Sequence, residues 1–129
     1  MPGSGLSPYA YAIIRIVPHI ERGECVNAGV LLFCRQHDFL RARIALDERR
    51  LASLAPDLGL ETIRPHLDAF VRIAAGDPDA GPIAALPASE RFGWLVAPAS
   101  TTIQPSIVHT GLCADPSSTL DHLVDELVG

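Results

Sequence analysis

A chain of 129 residues that is 48% hydrophobic and 19% charged has the size and composition of one folded domain, here spanning 1–129, and not of a disordered segment. Its net charge of −5 excludes a predominantly basic nucleic-acid binder, and no stretch supplies the roughly 18 consecutive apolar residues of a membrane span. Three cysteines and an N-terminus without the basic region of a secretory signal point to a cytoplasmic protein with free thiols.

In chain order, residues 1–8 read as a flexible N-terminus. Residues 9–17, YAYAIIRIV, read as a strand stopped by Pro18, and PHIERG supplies a reversal. Residues 25–35 form a second strand. After QHD, the stretch FLRARIAL alternates as a half-buried third strand, so the three make an antiparallel meander.

From Asp47 the period changes. Asp47 caps a short helix carrying Leu51, Leu54 and Ala55, which ends before Pro56. A longer helix starts near Glu61, because Pro65 is tolerated only in a first turn. It turns Ile63, Leu67, Phe70, Val71 and Ala74 inward and ends at Gly76. Residues 76–82 form a surface loop, 88–97 lean to helix, and 102–109 form a later edge strand carrying Pro105, with TGLCADP as a turn. The last element is an amphipathic helix capped by Ser117 or Ser118, with Leu120, Leu123, Val124 and Leu127 docked on the apolar side of the sheet. The fold class is α+β, with helices packed mainly on one face of an antiparallel sheet.

Strand alternation sorts the sheet into two faces. Ala10, Ala12, Ile14, Ile16, Val26, Ala28, Val30, Leu32, Cys34, Leu40, Ala42, Ile44 and Leu46 form a nearly uniform apolar face. The opposite face carries Tyr9, Tyr11, Ile13, Arg15, Asn27, Gly29, Leu31, Phe33, Arg35, Phe39, Arg41 and Arg43, with Glu24 at the first turn and Arg15 opposite Asn27. Within RGECVNAGVLLFCR, Glu24, Asn27 and Gly29 are types a strand usually avoids. They mark either a bulge with local hydrogen bonding or a pocket opened by the glycine. All ten basic residues are Arg. Residues 1–50 hold seven against five acids, and 51–129 hold three against ten, a balance of +2 followed by −7.

Chemical motifs are sparse. Cys25 and Cys34 have opposite parity on one strand and cannot share an ion, no CxxC, HExxH or HxH occurs, and no metal or other cofactor is expected. Ser100, Thr101, Thr102 and Ser106 lie near Gln104 and His109 without a nucleophile elbow.

Two segments carry a resemblance. YAIIRIVPHIERGECVNAGVLLFCR resembles the opening of the bacterial family catalogued as domain of unknown function 3037, and RFGWLVAPASTTIQPSIVHTGLCADP resembles its second recognisable segment. By matching position, Arg15, Glu24, Asn27, Gly29, Gln104 and Ser106 are the polar or glycine residues of those segments, while Ala99 stands where a basic residue is expected. The resemblance implies no particular chemistry. The resemblance implies a small bacterial protein of a kind often encoded beside a HipA-like kinase-type protein, and hence a partner.

The leading expectation is therefore a non-catalytic protein-interaction module. Its surface would draw on Tyr11, Arg15, Glu24, Asn27, Phe33, Arg35, Arg41, Arg43, Gln104, Ser106 and His109, and its partner would be a HipA-like kinase-type protein or a second copy of the chain. The first alternative is single-stranded nucleic acid or another polyanion on the same Arg and aromatic face. The second is a hydrolase-like site near Asn27, Gln104 and His109. A third arrangement, in which residues 83–100 cover that face, would make it internal.

Overall fold

The computed structural model of the chain describes residues 5–18, 22–97 and 102–128. The expected reversal at 19–21, and Ala99, Ser100 and Thr101, lie outside the described residues. β1 (Ser7–Ile16), β2 (Val26–Cys34) and β3 (Phe39–Ile44) form the expected meander, followed by α1 (Glu48–Leu54), α2 (Leu60–Ala74), α3 (Ala88–Leu95), β4 (Ile103–Pro105), β5 (His109–Cys113) and α4 (Pro116–Leu127). The sheet runs β3-β2-β1, with β4 and β5 both antiparallel along the outer side of β1: β4 beside residues 14–16 and β5 beside residues 7–11. The architecture is α+β, as the sequence predicts. No helix among the described residues is long and apolar enough to cross a membrane.

Local chemistry explains most boundaries. Asp47 caps α1 by accepting from the Arg49 and Arg50 amides, and Gly76, at φ 72°, lies just beyond the end of α2. The β2–β3 connection is one 3-10 turn closed by Asp38 in the left-handed region, so Phe39 pairs with Cys34 and Arg35 stands outside the ladder. Pro65 lies in the second turn of α2, deeper than expected. Its ring is exposed, and the Glu61 carbonyl that loses a helical donor lies on the exposed side. The cap of α4 is Asp115, which accepts from the Ser117 amide and the Ser118 hydroxyl; Pro116 occupies the first helical position, so Ser117 and Ser118, expected as caps, lie inside the helix. Residues 7 and 8, expected in a flexible N-terminus, open β1. Residues 76–82 include a 3-10 turn at Pro78–Ala80.

The expected strand over 102–109 is broken. β4 ends at Pro105, and His109, expected to end that strand, joins TGLC, expected to begin a turn, in pairing with β1 as β5. Ser106 bridges the break: its hydroxyl accepts from the Ile13 amide at 2.8 Å, and its own amide donates to the Ile13 carbonyl at 2.8 Å. Its side chain does what the absent ladder residue would do, which accounts for a buried serine at this position.

The largest correction concerns β2. Ile14 pairs with Gly29 but Arg15 pairs with Asn27, so Ala28 is the extra residue of a bulge. Beyond it every side chain of β2 changes face. Leu31 and Phe33 join Ile14, Leu40 and Ala42 beneath α2 and α3, whereas Val30, Leu32 and Cys34 turn to the other side. That second side is closed by α4, whose Leu120, Leu123 and Val124 pack on Val30, Leu32, Cys34 and Cys113. α4 thus sits on the face opposite the other helices, and the sheet is covered on both sides. Strict alternation missed this because one inserted residue reverses parity for the rest of a strand.

Candidate functional site

The structure separates the residues that sequence alternation had put on one face. Phe33 lies under α3, its ring stacked on Phe92 with centroids 5.3 Å apart, and Arg35 reaches over the outer side of the Phe33 ring at 5.8 Å. Arg41 and Arg43 flank the α4 side: Arg41 donates to the Leu40 carbonyl and lies over Phe39, and Arg43 forms an ion pair with Asp121 of α4. Glu24 is 3.9 Å from Arg22 at the turn. The face proposed as an open surface is therefore covered in part by α4 and, for Leu31 and Phe33, by α2 and α3.

Five of the expected residues do come together, in two groups along β1. Asn27, Arg15 and Gln104 form a row across β2, β1 and β4, and Tyr11 stacks on His109 at 5.2 Å further along β1. The Asn27 side chain donates to the Leu127 carbonyl at 2.9 Å, occupying one of the orphan acceptors at the end of α4. Tyr9 packs over Gly111, where a Cβ would fall 2.6–2.8 Å from the phenol. Burial, then the nearby Tyr11 and Cys113, raise the Tyr9 hydroxyl above its ordinary value, and burial followed by the neighbouring Cys34 raises the Cys113 thiol. Both shifts favour the neutral, inert forms.

A recess of about 570 Å³ opens elsewhere, between α2, α3 and β4. Thr62, His66 and Phe70, four residues apart, run along the flank of α2 next to the buried Ile63, and Leu95 and Ile103 complete an apolar floor. Trp94, the sole tryptophan and 54% exposed, stands on its rim. Arg91 holds the two helices in register by donating to the Leu86 carbonyl at 2.7 Å and to the Ala74 carbonyl at the end of α2 at 3.3 Å. The described lining contains no acid and no Arg. Its polar side-chain groups are the His66 imidazole, the hydroxyls of Thr62 and Thr102 and the Trp94 indole N–H. That volume is within the range of ligand recesses, and the chemistry is that of apolar capture with a few hydrogen bonds.

The family model described as Protein of unknown function (DUF3037) matches residues 11–128, nearly the entire chain. The chain belongs to this family. No curated protein and no solved structure matches it. The DUF3037 match spans both the Asn27–Arg15–Gln104 row and the recess.

Sequence reasoning missed the recess. Two signals pointed to it: a lone Trp in a chain only 5% aromatic, and a Thr62–His66–Phe70 stripe beside the core stripe of α2. Among the described residues of this DUF3037 chain, no group of three His, Cys, Asp or Glu is positioned to hold a metal ion.

Proposed function

We propose that this domain is a non-catalytic protein-interaction module of the bacterial cytoplasm, and that its binding surface is the recess between α2, α3 and β4. The occupant is an apolar segment of a partner protein with basic residues at its flanks. The observation that carries this reading is the uncharged recess with a half-exposed Trp94 on its rim. Large aromatic side chains at the edge of apolar depressions are typical anchors of protein interfaces.

The form of the occupant follows from the wall. Thr62 to Phe70 extends about 12 Å along α2, the length of roughly two helical turns, which suits one apolar face of a short helix. Charge supports the basic flanks, since the recess is built wholly from the half of the chain that holds three Arg against ten acids. The first partner to test is the HipA-like kinase-type protein suggested by the sequence resemblance.

The polyanion reading loses support because Arg35, Arg41 and Arg43 are divided between the two sides of the sheet, away from the Tyr11–His109 stack. A hydrolase-like site loses support because Asn27 is engaged with the end of α4.

Isothermal titration of the purified HipA-like protein tests the reading. Trp94→Ala and Thr62→Arg alter exposed positions, so both variants should fold, and each should weaken binding at least tenfold, a loss of about 1.4 kcal/mol or more. Unchanged affinity in both variants, or no binding by the wild type, would overturn it.

A further inference from the structure

We infer that the β5 edge is a self-association surface, where two copies of the chain join their sheets by antiparallel pairing of residues 109–113. Five large hydrophobic side chains stand exposed among the described residues, and four of them border this edge: Leu6, Ile107, Val108 and Leu112, with Ile107 at 77% and Leu112 at 63%. Only Trp94 lies elsewhere. Among the described residues, β5 pairs with β1 on its inner side and with no other strand.

Exposed sheet edges are normally guarded by charge, proline, brevity or a bulge. The opposite edge, β3, carries Arg41 and Arg43, and β4 is three residues long and ends in Pro105. β5 has neither charge nor proline. Indeed, no acid and no Arg occurs anywhere from residue 92 to residue 114.

That neutrality selects the occupant. A chain of net charge −5 repels its own copies, and a contact made here brings no acidic side chain of one copy against another. An isologous contact must also be complementary to itself. Antiparallel pairing centred on Gly111 meets that condition, setting Thr110 of each copy opposite Leu112 of the other and the two Leu112 side chains diagonally adjacent on one face. This inference is independent of the recess and would survive its failure.

Sedimentation equilibrium of the full chain from low to high micromolar concentration tests it. The wild type should be a dimer whose dissociation constant rises at least tenfold in Leu112→Lys and in Ile107→Lys, both at exposed positions, with thermal unfolding of the dilute protein unchanged. Thr62→Arg, in the recess, should leave the dimer intact. A wild type that remains monomeric would overturn the inference, as would a dimer indifferent to both lysines or one dissolved by Thr62→Arg alone. If Leu112→Lys fails to fold, Ile107→Lys carries the decision.

Discussion

Gly29→Ala tests the close approach of β2 to β3 beside the bulge. The glycine is required for space and not for its φ, which lies outside the left-handed range occupied by Gly23, Gly76 and Gly81. A Cβ at residue 29 would fall 2.8 Å from Ile44 Cδ1, 3.2 Å from Ile44 Cα and closer still to the Arg43 carbonyl oxygen. Two of those atoms belong to the backbone of β3, which cannot rotate away, so β2 and β3 must separate locally. Overpacking of this kind costs about 1–3 kcal/mol, and the backbone clash puts Gly29→Ala near the top of that range. The reduced entropy of the unfolded alanine chain returns only about 0.4–1 kcal/mol. For a domain of this size the net loss of about 2 kcal/mol should lower Tm by roughly 6–10 °C. Gly93→Ala is the control, because a Cβ there meets nothing within 4 Å and α3 should gain about 0.5–1 kcal/mol. Thermal and urea unfolding followed by circular dichroism would measure both variants. A Gly29→Ala protein as stable as wild type would refute the steric account of this glycine.

Asn27→Ala should cost about 1–3 kcal/mol in urea unfolding by leaving the Leu127 carbonyl without its donor. Ser106→Ala should cost a similar amount, about 1–3 kcal/mol, because the buried Ile13 amide loses its acceptor, and hydrogen exchange at Ile13 should accelerate selectively. The Asp77 carboxyl is held below its ordinary value of 3.8 first by the Arg72 hydrogen bond, and Asp115 first by the Ser118 hydroxyl. A lowered folded pKa gives stability that is complete above the unfolded value and lost as pH falls through the folded one. The Tm of the wild type should therefore decline most steeply below about pH 4, and Asp77→Asn with Asp115→Asn should flatten that decline.

The elements were legible where one local signal dominated. Alternation marked β1 and β3, Asp47 marked the start of α1, and the Leu120, Leu123 and Val124 stripe marked the buried side of α4. The face on which α4 docks was not legible, because it depends on Ala28 being skipped in the ladder, and nothing in VNAGV distinguishes a one-residue bulge from an ordinary strand with a glycine. The same omission made Phe33 and Arg35 look like neighbours of Tyr11. Arg15 opposite Asn27 was read correctly, since it lies before the bulge takes effect. The recess escaped because it forms only when three separate elements pack together, and the tertiary contacts of Arg91 and Phe92 that align them have no local signature.

Under the proposed function, a partner protein seats an apolar segment against Trp94. As the sole tryptophan, Trp94 makes its own fluorescence a site-specific reporter when the partner contributes no signal. Titrating the chain with HipA-like protein whose own tryptophans have been replaced by phenylalanine, with binding followed independently by calorimetry, should shift Trp94 emission to shorter wavelength and protect it from iodide quenching as the site fills. Saturable binding with the emission and quenching of Trp94 unchanged would contradict the account.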